Sequence, residues 1–239
     1  MQFAGREPET DVSPGAWLAA GTAGARRLTL ATLLPRGFAA YARVFHPAYR
    51  YDGDDDLEVP WREVADDNGT TVHPLMQWPA ITGGWEFCTE ESQPPVWDRA
   101  PDEGHLPTEV AARLAAVLRR HTTTPDDCWF GVGVDGVIVA SAPALALPNR
   151  EHWLVRGPVE LAAANLAAEP SEQSAHLWWP ADRAWCVATD IDLVSTYVGG
   201  SAACVAEVLA TPGLEAAVVS ADDGVDVASD MINAVPPRG

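Results

Sequence analysis

Asp135-Gly136, in the middle of CWFGVGVDGVIVASA (residues 128–142), constrains this chain more than any other pair. Asp-Gly between two apolar runs is the signature of a type I′ turn, because both central residues of that turn need positive φ. The pair makes the flanking runs antiparallel neighbours and excludes a strict βαβ alternation with a purely parallel sheet. It also explains the apolar stretch from Cys128 to Pro148: with Asp135 and several Gly and Pro residues inside, it reads as a hairpin, not a membrane span. Trp129, Gly131 and Gly133 share one face of the first strand. Two glycines beside an indole leave a bare floor, which either receives another ring or admits a ligand.

Around this hairpin, strands and helices come mixed. FAAYARVF, residues 38–45, places Phe38, Ala40, Ala42 and Val44 on one side and Tyr41, Arg43 and Phe45 on the other, the period of a strand. Pro107 to His121 is a helix, with Val110, Leu114, Val117 and Leu118 on one stripe and an outward Glu109–Arg113 pair. Trp61 to Asp67 is a short helix closed by Asn68-Gly69, and Pro158 to Ala167 a further helix. EHWLVRG (151–157) and LEAAVVS (214–220) are strands. In SAACVAEVLA (201–210), Ser201 is the N-cap of a helix that ends at Thr211-Pro212-Gly213. The expected class is α+β: a mostly antiparallel sheet with helices packed against it, in one domain spanning 1–239. Residues 1–14 and 230–239 are expected to fray. The proline-rich, acidic segment near 90–107 reads as a connection or a seam between two lobes.

HLWWPADRAWCVATDID, residues 176–192, is the densest chemistry in the chain. Pro180 to Arg183 make a turn, and a strand begins near Ala184. Period two puts Trp185, Val187, Thr189 and Ile191 on a core face and Ala184, Cys186, Ala188, Asp190 and Asp192 on the other. The two carboxylates either hold a cation, do acid and base work, or mark where the strand leaves the protein. Trp178 and Trp179 point to opposite faces, so at most one joins Trp185 and the other is expected at the rim. A binding surface is therefore expected at the two ends of this stretch: Trp178 or Trp179 with Asp182 and Arg183 at one end, Asp190 and Asp192 at the other.

Other constellations are weaker. Asp52, Asp54, Asp56 and Glu63 fit positions 1, 3, 5 and 12 of a calcium loop. Leu57 stands where that loop needs glycine, so an acidic surface loop over 52–58 is expected instead. The histidines show no zinc spacing, and no serine or cysteine sits in a nucleophile motif. Catalytic residues, metal and cofactor are each expected to be none. Cys88, Cys128, Cys186 and Cys204 are too scattered for a metal or redox motif and are expected to be reduced, as in a cytoplasmic protein. Met1 to Asp11 shows no basic stretch followed by an apolar run, so no secretory signal is expected.

All 15 basic residues are arginine, against 34 acids, for a formal net charge of -19. That field argues against nucleic acid or an anionic membrane as partner and permits a basic protein. The absence of lysine is consistent with a GC-rich coding bias.

LLPRGFAAYARVFHPAYR, CWFGVGVDG, LPNREHWLVRGP and LWWPADRAWCVATDIDLVSTYVGGS together resemble a group of uncharacterised proteins of high-GC bacteria, over most of residues 30–220. That resemblance implies no activity. Leu147-Pro148 before an aromatic strand is similar, more distantly, to the SMI1/KNR4-type immunity superfamily. Two readings follow. In the first, the protein is a non-catalytic, immunity-like binding module whose acidic rim and tryptophans clasp a basic partner. In the second, it is a small-molecule or cation-dependent enzyme with a pocket at Asp190, Asp192 and the Gly200-Ser201 helix start. An exposed tryptophan-and-acid patch favours the first, and a concave pocket containing both aspartates favours the second.

Overall fold

Alternating apolar residues give this chain its sheet. The computed structural model describes residues 2–53, 55–85, 93–134, 140–148 and 150–236. The strands are β1 (Ala40–Phe45), β2 (Ala48–Asp52), β3 (Asp55–Val59), β4 (Cys128–Gly133), β5 (Leu145–Ala146), β6 (Glu151–Gly157), β7 (Leu177–Pro180), β8 (Cys186–Thr189), β9 (Ser195–Gly200) and β10 (Ala216–Val219). The helices are α1 (Ala16–Thr22), α2 (Trp61–Asp67), α3 (Trp78–Thr82), α4 (Thr108–Leu118) and α5 (Ala202–Ala210). Eight strands form one sheet in the order β10-β1-β9-β8-β7-β4-β6-β5, every pair antiparallel, and β2 and β3 form a separate hairpin. The class is α+β, as the sequence leads one to expect. The tip at Asp135-Gly136 lies outside the described residues.

Both faces of the large sheet are covered. On the first, Ala42, Val44, Phe130, Trp178, Trp185, Val187 and Val198 pack under α4 and α5. On the second, Tyr41, Trp129, Leu154, Leu177, Trp179, Cys186 and Ala188 pack under α1 and the 3₁₀ turn Leu30–Thr32. A third cluster joins the β2–β3 hairpin to α2 and α3 through Val59, Trp61, Trp78 and Trp97. Glu215, which precedes β10, ties this lobe to the sheet: its carboxylate accepts the N–H groups of Trp61 (2.5 Å) and Arg62 (2.9 Å) at the start of α2, which supplies acceptors for otherwise orphaned helix donors.

The structure corrects several expectations. Of the acidic stretch expected as a loop over 52–58, Asp52 ends β2, residues 55–58 belong to β3, and Gly53 between the strands stands at φ +67°. Asp56 lies 3.5 Å from Arg99 and Glu63 3.5 Å from Arg50, so they neutralise arginines. Asp54 lies outside the described residues. Arg113 does not pair with Glu109; it reaches Glu58 on β3 at 2.7 Å and the carbonyl of Gly213 at 3.0 Å. Pro107 is the N-cap of α4 and not part of its first turn, and the last turn tightens to 3₁₀ at Arg119–His121. The expected helix over 158–167 is only a 3₁₀ segment, Val159–Ala163. Beyond it, the Asn165 side chain takes the N–H groups of Ala167 and Gln173, which offers the backbone an alternative to helix.

Described residues near both ends of the chain pack against the body. Phe3 is buried and its N–H donates to Leu166, while Glu9 N–H donates to Leu154. Asp230 is buried and accepts from His73, Gln77, Ile232 and Asn233.

Candidate functional site

A cleft of about 890 Å³ opens where the second sheet face meets the β2–β3 lobe. Arg43, Gln77, Arg150, Asp190, Asp192 and Tyr197 are among its walls. Arg43 and Tyr197 are cross-strand partners on β1 and β9, and Ser195 stands two residues from Tyr197 on the same face. The sheet floor is thus built by period two, while the other walls come from distant loops.

β8 ends at Thr189, and the chain then turns: Leu193 N–H donates to the Asp190 carbonyl at 3.0 Å and Asp192 N–H to the Asp190 carboxylate at 3.1 Å. Both carboxylates therefore converge on one guanidinium. Arg150 Nη2 lies 3.1 Å from Asp190 and 2.5 Å from Asp192, and its Nε 3.4 Å from Asp190. The aspartate pair is thus held by one arginine, which offsets half of its charge. No group of three or more metal-ligating side chains is present among the described residues. Ile191 sits in this turn, half-buried, and is not a core residue, because the strand stops two positions before it.

Gly104 holds the turn in place. Its φ is +67°, its N–H donates to Leu193, and a Cβ there would lie 2.6 Å from the Ile191 carbonyl oxygen. Gly104→Ala is expected to cost about 2 to 4 kcal/mol, combining left-handed backbone strain with a backbone clash. Chemical denaturation reads this directly, and an unchanged midpoint would show that the close approach is not needed.

Arg43 is the unusual member. It is 2 % exposed. Its Nε donates to Ser195 Oγ (2.9 Å), and its Nη1 donates to the carbonyls of Met76 (2.8 Å) and Pro74 (3.3 Å). The guanidinium also lies 4.5 Å from the Phe45 ring centroid and 5.3 Å from that of Trp61. No carboxylate among the described residues pairs with it. Burial lowers its pKa, opposed by the charges of Tyr197, Asp230 and Glu215. Burial also raises the Tyr197 hydroxyl pKa.

A second, small space of about 20 Å³ shares Thr32, Leu33, Arg150 and Asp190 with the cleft and is walled by His152. The Nδ1 of His152 is buried without a hydrogen-bond partner, and the space is the size of one water molecule. The glycine floor of β4 receives an imidazole: Gly133 N–H donates to His176 Nδ1 at 2.8 Å, and a Cβ on Gly133 would lie 3.1 Å from that nitrogen.

The remaining expected site residues are dispersed. Trp178 and Trp179 are each 1 % exposed: Trp178 stacks near Phe130 and meets Trp185 edge-on, while Trp179 meets Trp17 on the opposite face. Neither lies at a rim, because the second face carries a layer of its own. Asp182 is an exposed turn acid that accepts from Thr122 Oγ1, Thr123 N–H and Oγ1, and Ala184 N–H. Burial raises its pKa, but these donors outweigh burial and lower it overall. Arg183, at φ +56°, stands 5.5 Å over the Trp17 ring. With Gly200 and Ser201 it lines a separate, shallower depression of about 440 Å³. Asp190 and the Gly200-Ser201 helix start do not share a pocket. Thr189 pairs with Thr196 and Cys186 with Gly199, so they lie at opposite ends of the β8–β9 hairpin. Ser201 caps α5 as expected, accepting from Cys204 N–H at 3.1 Å.

Sequence reasoning passed over Arg43, Gln77, Arg150 and Tyr197. Arg43 carried a signal: an arginine inside an apolar, alternating strand must either leave the sheet or be buried with partners. The buried thiols are not activated; burial pushes those of Cys128 and Cys204 up to about 12 and that of Cys186 up as well. The chain matches no protein-family model, no curated protein and no solved structure.

Proposed function

We propose that the protein binds a small polar molecule in the cleft between the second sheet face and the β2–β3 lobe. The observation that carries this reading is the convergence of Arg43, Gln77, Arg150, Tyr197 and the paired aspartates on one concavity of about 890 Å³. That volume lies in the range of small-molecule sites, and a few convergent polar groups are what fix a ligand's orientation. The reading as an immunity-like module with a basic partner rests on surface charge alone, since Trp178 and Trp179, one of which was expected at the rim, are both in the core. The site is read as a binding site; no side chain in it is assigned as acid, base or nucleophile. Among the described residues no helix is long and apolar enough to cross a membrane.

The test is a screen of polar metabolites against isotope-labelled protein, followed by backbone amide signals. At least one compound is expected to move the amides of residues 193–197 and 225–227 saturably. Saturable binding confined to other surfaces, or none at all, would refute the proposal.

A further inference from the structure

Arg43 points to the kind of molecule the cleft takes. A guanidinium carries five N–H donors. At Arg43, Nε serves Ser195, and Nη1 serves the carbonyls of Met76 and Pro74. Nη2 makes no hydrogen bond to a described residue, so two donors of a buried cation are left on a residue that lines the cleft. Burying a cation is costly unless it is paired and hydrogen-bonded. The carbonyls and rings around Arg43 are dipoles and quadrupoles and bring no negative charge. Elsewhere in the cleft Arg150 already has its counter-charge in two aspartates. An oxyanion at Nη2 would give Arg43 its missing charge and acceptors.

The other walls select among oxyanions. Arg27 and Arg43 face the cleft as cations, and Glu103 and Asp226 as acids; none of the four is in an ion pair with another described residue. Only Arg43 of these cations is buried, and a phosphate dianion would bring two charges to it and the exposed Arg27, with four carboxylates, Glu103, Asp190, Asp192 and Asp226, around them. A carboxylate brings one, and a positive group on the same molecule meets the acids.

We infer that the ligand is a small zwitterion, its carboxylate seated on Arg43 and its ammonium facing the acidic wall of the same cleft. This rests on the small-molecule reading above and adds the chemical class. Arg43 is then a ligand-binding residue as well as the strut between sheet and lobe.

The test uses the unmodified protein. Acetate, γ-aminobutyrate, butylammonium and inorganic phosphate are titrated in turn, and the side-chain N–H signals of the arginines are followed. The Arg43 signal is identified by its loss in Arg43→Lys. Acetate and γ-aminobutyrate are expected to shift it saturably. γ-Aminobutyrate should bind about tenfold or more tightly than acetate, for one added charge-assisted hydrogen bond. Butylammonium is expected to leave the signal in place, and phosphate to bind more weakly than either carboxylate. Arg43→Lys, which keeps the charge and loses the planar fork, should weaken γ-aminobutyrate by about tenfold. If that variant does not fold, Arg43 is assigned through its neighbours and the unmodified protein decides alone. An Arg43 signal unmoved by both carboxylates at tens of millimolar, or phosphate binding tighter than both, overturns the inference. If polar metabolites move the cleft amides while the Arg43 signal stays fixed, the small-molecule reading stands and the zwitterion assignment falls.

Discussion

Trp185→Ala is expected to lower unfolding free energy by about 3 to 5 kcal/mol, the range for removing a large buried aromatic side chain. Trp185 is fully buried, its ring meets that of Trp178 edge-on at 5.6 Å, and its Nε1 donates to the Leu118 carbonyl at 2.9 Å. The substitution removes the ring, opens a cavity between β8 and α4, and takes a donor from the last turn of that helix. In a chain of this length the thermal midpoint should drop on the order of 10 °C. Urea denaturation checks the free energy, and a midpoint within error of the parent would show that the strand face is not the core described here.

Acid should destabilise the fold well above the usual carboxylate range. Three histidines are buried as neutral rings, chiefly because burial disfavours the charged form: His46 and His176 are pushed down to about 4 and His152 to about 3. Each has a structural reason to resist a second proton. His46 donates from Nδ1 to the Asp102 carbonyl at 2.7 Å, so its Nε2, 2.9 Å from Thr196 Oγ1, must accept. His176 accepts the Gly133 N–H through Nδ1. The Nδ1 of His152 is buried with no acceptor to receive a proton.

In the unfolded chain these rings titrate near the ordinary value of about 6.5. Between there and about 4 the unfolded state binds more protons than the folded one, so stability falls as pH falls through that window. Full uptake by three rings corresponds to roughly 4 kcal/mol per pH unit. Burial raises the pKa of Asp102, Glu103 and Glu215, which opposes the effect in the lower part of the window. A net loss of about 1 to 4 kcal/mol is therefore expected between pH about 7 and about 5. Denaturant midpoints at the two pH values measure it. Equal midpoints, or a higher one in acid, would mean that these rings are not held neutral.

The sheet was legible in the sequence because its strands obey period two. FAAYARVF and WCVAT declare their faces without help, and Ser201 with the helical stripe after it declares α5 and its cap. The α4 stripe at Val110, Leu114, Val117 and Leu118 was equally plain, since amphipathic spacing is local. The aspartates at 190 and 192 were recognised as the polar end of a strand, and they do line the cleft. Their partner was not recognised, because Arg150 stands forty residues from Asp190 and only the sheet brings them together.

What the sequence by itself determined is therefore the local part: the antiparallel class, which residues share a strand face, where α4 and α5 begin, and that Trp185 and Val187 belong to a core. What only the tertiary structure decided is what covers each face. Period two says that Cys186 and Ala188 lie opposite Val187, but not that α1 and Leu30–Thr32 fold over them and bury Trp179 as deeply as Trp178. The same holds for the cleft. Arg43, Gln77, Arg150 and Tyr197 meet because β1 inserts between β10 and β9 and the β2–β3 lobe closes against that face. Each of those contacts joins residues distant along the chain, and periodicity carries information only about neighbours a few residues away.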